Sequence, residues 1–525
     1  MPLPRSLLLL LSTLLVSWQV LACESDAGTQ AVFSTTEPTC SDELRAANAN
    51  AACDELSSSL GNTIVHWTHS TEEYNFTVSN AWNYNNAKYT PTCIVLPRTA
   101  RHVQTAMRAI YEAGAHYAVQ AGSHSGVKGW NTVQDGVLIH FAHMQAASYN
   151  QQKQSITLEP GIHWGDATAE LAPLGVTLVG GRVAGVGTGL FLGGGISFLS
   201  ANQGFAADNF LELDVVLVNG TIVTATPTNE YSDLFRALKG GANRFGIVTR
   251  YEVRAVHVGT PADKPFYGGF NIYGGDKADE IVKATAKYVR EINDPNATLM
   301  TLLTTSLVDG GAQRQTCIVF MFYMGTSLPE EIYGDFLGIT PLMSSIGPQA
   351  WTDIVPRTDP PMFDASTRGS IQHFGSLALD GQEADFVKML AEFRNFSDAF
   401  VTAEAGVKSN SLWMTPITRH QLEMGRKKGG NPINGERRTG PYTLIHHSQK
   451  FEAGLQAIPA EVQAGIDLVF ERVPPSPDVP LYVNECDAKQ NVFATYAEYD
   501  FLKATYARYD PGRFNVEHTD GPIGL

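Results

Sequence analysis

Five glycine-dense segments lie between Gln120 and Thr249, each at the end of an apolar run. The first reads Gln120-Ala121-Gly122-Ser123-His124-Ser125-Gly126 and the second Glu159-Pro160-Gly161-Ile162-His163-Trp164-Gly165-Asp166. The third is Gly180-Gly181-Arg182 leading to Gly185-Val186-Gly187-Thr188-Gly189-Leu190-Phe191-Leu192-Gly193-Gly194-Gly195. Gly204 to Asn209 and Gly240 to Thr249 complete the set. Glycine on this scale costs backbone entropy, so a fold that keeps it gains close approach of main chain to something. The usual gain is a pyrophosphate held by backbone N–H groups. Ordinary turns explain one or two such segments and strain to explain five. Gly185-Val186-Gly187-Thr188-Gly189 is not a G-x-G-x-x-G fingerprint at the head of a βαβ unit, so a Rossmann reading is poor. A serine hydrolase also fails, because Gly122-Ser123-His124-Ser125-Gly126 is not G-x-S-x-G before a helix.

Local periodicity places the first segment. Val103, Met107 and Ile110 fall on one face of a helix over 103–113 that stops at Gly114. His116 to Gln120 alternates as a strand, and the turn that follows holds one imidazole, His124, among glycine and serine. Asn219-Gly220, between two valine-rich runs, predicts a two-residue hairpin turn.

The stretch from about Thr90 to Glu252 resembles the FAD-binding domain of the vanillyl-alcohol oxidase and p-cresol methylhydroxylase (PCMH) superfamily, and most of all the fungal berberine bridge enzyme-like oxidases. The family's Arg-Ser-Gly-Gly-His-Ser stands here as Gln120 to Ser125, its Pro-Gly-x-x-Trp-Gly-Asp as Pro160 to Asp166, and its Leu-Gly-Gly-Gly-x-Ser as Leu192 to Ser197. Its Tyr-Gly-x-x-x-Asp-Asn appears as Gln203 to Asn209, its Asp-Leu-Phe…Phe-Gly-Ile-Val-Thr as Asp233 to Thr249, and its C-terminal Tyr-x-Asn…Tyr-Asp-Pro as Tyr482 to Pro511. The chain departs from the pattern at Gln120 (for Arg) and Ser123 (for Gly).

The resemblance implies an α+β protein: a PCMH-type FAD-binding domain, a substrate domain with an antiparallel sheet covered by helices, and a berberine-bridge-type tail. The expected layout is 1–22 signal peptide, 23–89 N-terminal segment, 90–258 FAD domain, 259–471 substrate domain and 472–525 tail closing on the FAD domain. It implies FAD, tethered at the 8α-methyl by His124. Many relatives carry a second tether, a cysteine before the triple glycine; Gly180 to Gly195 contains none, and Arg182 or a neighbour stands there, so attachment is monocovalent. The cofactor contacts expected with His124 are Gly122, Ser123, Ser125, Gly161, Trp164, Gly187, Gly189, Gly193, Gly194, Gly195, Asn209, Gly246, Ile247 and Val248. The family also implies that Cys53 and Cys93 pair. Cys40 bonds Cys23 or stays free, and for Cys317 and Cys486 the sequence is silent.

The catalytic base is less legible. Tyr442, His446, His447 and Glu436 in the substrate region, and Asn484, Gln490 and Asn491 in the tail, are candidates by position. His446 and His447 are adjacent on a strand-like run, so at most one points inward. Gln490-Asn491 matches a polar pair near the flavin in fungal relatives, a contact rather than a base.

Composition narrows the partners. A formal charge of −16 argues against nucleic acid and anionic membranes. Arg5, the apolar run Leu7 to Val16 and Val20-Leu21-Ala22 form a secretory signal, and no later segment is long enough to span a bilayer. Export permits the disulfide and four sequons at Asn75, Asn219, Asn296 and Asn395. No close His spacing supports a metal centre. The leading expectation is a secreted, monomeric oxidase that passes electrons from a small organic substrate to O2 as H2O2. The lack of a second tether and the aromatics Trp413 and Tyr442 point towards secondary metabolism. A carbohydrate oxidase, a flavoprotein cyclase and a non-catalytic flavoprotein are the alternatives.

Overall fold

The computed structural model describes residues 40–308, 310–358, 369–436 and 438–525. The signal sequence and Cys23 lie outside the described residues.

Residues 40–89 form helices and one strand. Helix α1 (Cys40–Leu60) packs on α2 (Ala100–Ala113), and β1 (Val65–Trp67) pairs antiparallel with β2 (Cys93–Val95). Such short pieces owe their order to tertiary pairing, which local periodicity does not report. The Cys53–Cys93 disulfide joins α1 to β2. With β3 (Tyr117–Gln120) and β4 (Val137–His140) these strands form a sheet in the order β1-β2-β4-β3. Helix α2 buries Val103, Ala106, Met107 and Ile110 and ends on Gly114 at φ 64, as the 103–113 periodicity predicts.

A second sheet, wholly antiparallel, joins β5 (Ala147–Asn150), β6 (Ser155–Leu158), β7 (Phe210–Val216), β8 (Ile222–Ala225) and β9 (Ile247–Arg254) in the order β5-β6-β9-β7-β8. The hairpin between β7 and β8 is not the two-residue turn expected. Leu217 N–H donates to Thr221 O across a loop of Val218, Asn219 and Gly220, with Gly220 at φ 77. Glycine supplies the left-handed residue that closes a three-residue loop.

The third sheet is larger: β10 (Phe266–Gly274), β11 (Ala297–Leu307), β12 (Gln313–Met324), β13 (Ser370–Leu379), β14 (Val407–Ile417) and β15 (Tyr442–Ala453) run β10-β12-β11-β14-β15-β13, with Met343–Ser344 and Gly347–Gln349 on the free edge of β10. Helices α3 (Ala278–Glu291) and α4 (Glu383–Phe400) cover one face. Strand side chains alternate between faces. Leu303, Leu412, Met414, Ile445 and Leu377 face the helices. Met300, Leu302, Thr304, Ser411, Trp413, His446 and Ser448 face away from them.

After α5 (Ala460–Arg472) the tail returns over the second sheet. Arg244 donates to Asn515 Oδ1 at 2.9 Å and to the carbonyls of Thr519 and Pro522, and Arg236 pairs with Glu498. Asn75, Asn219 and Asn395 are exposed, and Asn296 is half-buried. Cys317 and Cys486 are buried free thiols. Among the described residues no helix is long and apolar enough to cross a membrane, and no group of His, Cys, Asp and Glu suits a metal ion.

Candidate functional site

At the end of β3 the chain makes the sharp turn Ala121 to Gly126. Ser123 sits at φ 60, the left-handed region that glycine occupies freely and serine does not. The backbone conformation is thus kept where the family has glycine, at a cost in strain. Trp82 N–H donates to Ser123 O at 3.0 Å, and Asn83 Nδ2 donates to Gly126 O at 2.6 Å, so the N-terminal segment clamps the turn. The His124 ring stacks on Trp82 with centroids 4.4 Å apart and planes at 20°.

Gly122 lies main chain to main chain with Gly187. A Cβ on Gly122 would stand 2.4 Å from Gly187 N, and one on Gly187 would stand 2.7 Å from Gly122 Cα. Only glycine permits two backbones this close. These turns form one wall of a cavity of about 650 Å3. The same wall carries Ser123, His124, Ser125, Gly189, Gly246, Ile247 and Val248. The opposite wall is the uncovered face of the third sheet, and the tail closes one side with Tyr482, Val483, Asn484 and Glu485.

Several expected contacts stand behind the wall instead of on it. A Cβ on Gly161 would meet Phe141 O, because main chain packs there. Trp164 is a core side chain, lying against Gly180 and Gly181. Gly193 fits beneath Asn484, Gly194 against Ile433 and Gly195 between Leu190 and Ala206. Asn209 donates to the carbonyls of Gln203 and Phe205 and accepts from Lys428 at 2.6 Å. In these motifs glycine and asparagine shape the turns through protein contacts.

Five of the seven catalytic candidates are displaced as well. Tyr442 is buried away from the cavity with its hydroxyl donating to Asn434 Oδ1, and burial raises its pKa. Gln490 staples the tail to β13: its Oε1 accepts from Ser376 N at 2.9 Å and its Nε2 donates to Ser376 O at 2.8 Å. Glu436 and Asn491 are likewise absent from the lining, whereas Asn484 is part of it. His446 does face the cavity, while His447 points to the helix side, bonded to Asn410 and Gln449. Burial lowers both imidazoles to about 3. Phe374 lies edge-on to His446 at 4.2 Å and also touches Trp82 at 5.4 Å, an aromatic bridge between the two walls.

Sequence reasoning missed Trp82, Asn131 and Glu485, all on the wall. Trp82 carries no local signal. Glu485 directly follows the Tyr482-x-Asn484 motif and was within reach.

A flavin dinucleotide fits this lining. Both side-chain atoms of Asn131 and Asn243 Oδ1 are buried on the cavity without protein partners, and Gly122 and Gly187 bring bare main chain to it. Unsatisfied buried amides ask for a polar ligand.

Residues 91–226 match the FAD binding domain family. An FAD-linked oxidoreductase of Arthroderma benhamiae, itself uncharacterized, is 28% identical over 475 residues, spanning 86% of this chain and 91% of that protein. The FAD-dependent monooxygenase drtC of Aspergillus calidoustus is 26% identical over 451 residues, spanning 82% of each. Berberine bridge enzyme from Eschscholzia californica shares the fold at TM-score 0.69 and 15% identity, over 90% of this chain and 99% of that one. The chain is an FAD-linked oxidoreductase, and it has the fold of berberine bridge enzyme. The 6-hydroxy-D-nicotine oxidase of Arthrobacter nicotinovorans has the same fold at TM-score 0.67 and 19% identity, covering 87% and 97% of the two chains. In this oxidoreductase the bound flavin supplies a two-electron acceptor. The main-chain turns at Gly122 and Gly187 and the unpartnered amides of Asn131 and Asn243 would hold it.

Proposed function

We propose that this chain is a secreted oxidase that dehydrogenates a small hydroxylated organic molecule of secondary metabolism, with O2 as acceptor and a flavin tethered through His124 alone. The observation that supports this reading is that His124 lines the cavity, stacked on Trp82, across from the open sheet face. Gly180 to Gly195 brings no cysteine to the site; Arg182 lines it instead. Phe198, Met300, Leu302 and Trp413 make one part of the cavity apolar, which suits an aromatic or polyketide-like substrate. The Cys53–Cys93 disulfide supports export.

Acid-precipitated protein is expected to stay yellow and to yield a flavinylated peptide containing His124; release of all FAD into the supernatant overturns the tether. A screen of phenolic and benzylic alcohols is expected to find one that bleaches the flavin without oxygen and, in air, releases peroxide in proportion to product. Isotopically labelled O2 separates an oxidase, which leaves the product unlabelled, from a monooxygenase. A second reading, a carbohydrate oxidase, draws on the hydroxyls of Thr304, Ser306, Ser409, Ser411 and Ser448 on the same sheet face. Bleaching by sugars alone would favour it.

A further inference from the structure

The rows of the sheet wall change in character along the strands. At one end Arg182 Nη1 reaches Thr415 Oγ1 at 2.7 Å and Met300 Sδ at 3.0 Å, and its Nη2 lies 3.6 Å from Glu485 Oε1. Next come Leu302 and Trp413, aligned across β11 and β14. At the other end Ser306 of β11, Ser409 of β14, Lys450 of β15 and Gln372 of β13 stand abreast, all on the cavity. Strands rise about 3.4 Å per residue, so this last row lies roughly 13 Å from Trp413 and roughly 20 Å from Met300. Glu485 is the one carboxylate lining the cavity among the described residues, and it belongs to the Arg182 end. Over that distance a carboxylate already paired with Arg182 has little hold on Lys450.

The last row is fixed from two sides. The ladder of β15 is irregular around Lys450: its register shifts against β13 between Ser370 and Gln372, and against β14 between Val407 and Ser409. Bulges of this kind re-aim side chains. Asn83, itself buried, holds the main chain of Gln372. Gln372 N–H donates to Asn83 Oδ1 at 3.2 Å, and Asn83 Nδ2 donates to Gln372 O at 2.9 Å and to Gly126 O at 2.6 Å. The row is thereby tied to the turn that carries His124. Gln372 is 6% exposed, and its Nε2 has no protein partner. Buried amide nitrogens are rarely left without an acceptor. An ammonium, an amide N–H and two hydroxyls supply donors and one positive charge, the set that charge-assisted hydrogen bonds to an anion require.

We propose that Lys450, Gln372, Ser306 and Ser409 form an anion subsite for a carboxylate carried by the substrate. The proposal deepens the reading above and rests on the third sheet being the substrate side of the cavity. The substrate class is then a hydroxylated acid. Its body lies on Leu302 and Trp413, and its carboxylate reaches Lys450 about 13 Å away. An aromatic or polyketide-like acid and an acidic oligosaccharide share this chemistry.

The test measures binding to the flavin-loaded protein by calorimetry without oxygen. The probes are the terminally phenylated butanoate, hexanoate and octanoate, each against its methyl ester, and the methyl glycoside of trigalacturonate against its methyl-esterified form. One of the longer phenyl acids is expected to bind about tenfold tighter than its ester, and K450M to bring that ratio to within about twofold of unity. K450R keeps the charge and should retain most of the preference. A preference confined to trigalacturonate and abolished by K450M supports the subsite and assigns it to an acidic sugar. Equal binding of acid and ester in every pair overturns the proposal, as does a preference unchanged in K450M. So does a folded K450M protein that no longer takes up flavin, because the row would then serve the cofactor's phosphates. Should K450M not fold, Q372E, which puts a carboxylate into the row, is expected to reverse the preference, and an unchanged one overturns the subsite. If no alcohol yields peroxide, the oxidase reading falls while these binding ratios stand.

Discussion

The two walls of the cavity are built on opposite principles. The turn wall is built around main chain: turns of glycine and serine at the ends of β3 and β9, with Gly122 against Gly187 and Ser123 held at φ 60. The sheet wall is side chain: every second residue of β11, β14, β15 and β13, brought into rows by register. Leu302, Trp413 and His446 are aligned across three strands, and Thr304, Ser411, Ser448 and Phe374 across four. A wall of backbone presents the same N–H and C=O groups whatever its neighbours, so it suits a constant ligand. A wall of side chains can be rewritten residue by residue without disturbing the ladder beneath it. On the proposed function, the first wall takes the constant cofactor and the second the variable substrate.

The sharpest way to break this comparison is to put bulk on each wall. Gly122→Val is expected to give apoprotein or insoluble protein, because its Cβ would stand 2.4 Å from Gly187 N. Gly512→Ala, away from the cavity, is the control, since nothing lies within 4 Å of its added Cβ. Trp413→Ala, on the sheet wall, should keep full flavin absorbance and raise KM for the oxidised alcohol about tenfold, roughly 1.4 kcal/mol. Full flavin occupancy in Gly122→Val would show that the glycine contact is dispensable.

Acid should weaken the third sheet, by up to about 5 kcal/mol for each buried histidine. His446 and His447 have folded pKa values of about 3 against about 6.5 unfolded. The unfolded chain therefore binds their protons first as pH falls. Their contribution is complete above about 6.5 and is lost progressively down to about 3, by at most about 1.4 kcal/mol per unit for each ring. Denaturant unfolding at a series of pH values checks this. His446→Leu should flatten the acid limb, and an unchanged slope would show that the sheet histidines do not govern it.

The smallest effect sharpens the cofactor side. Ser123→Gly removes the penalty of a left-handed serine and should stabilise the protein by about 1 kcal/mol, read as a raised denaturation midpoint with flavin content unchanged. A destabilised variant would mean that the serine side chain contributes more than its backbone costs.

Much of this architecture was legible in the chain. Turn chemistry is local: the His124 turn, the helix stop at Gly114 and the alternation that sends His446 and His447 to opposite faces follow from neighbours within a few residues. The family motifs located the FAD-binding stretch for the same reason, since each motif is a contiguous piece of backbone, and the resemblance implied the Cys53–Cys93 pair. The sequence could not tell which motif residues touch the cavity. Gly193, Gly194, Gly195 and Asn209 look like Gly187 in the chain, yet they pack against Asn484, Ile433, Leu190 and Lys428 from distant segments. Trp82 and Glu485 reach the site only because the N-terminal segment and the tail fold back onto it. The chain by itself determined the turns and the strand faces, because backbone conformation is decided by near neighbours. Tertiary structure alone decided the composition of the sheet wall and the place of Glu485, because register and docking join residues far apart in sequence, and no local pattern records which will meet.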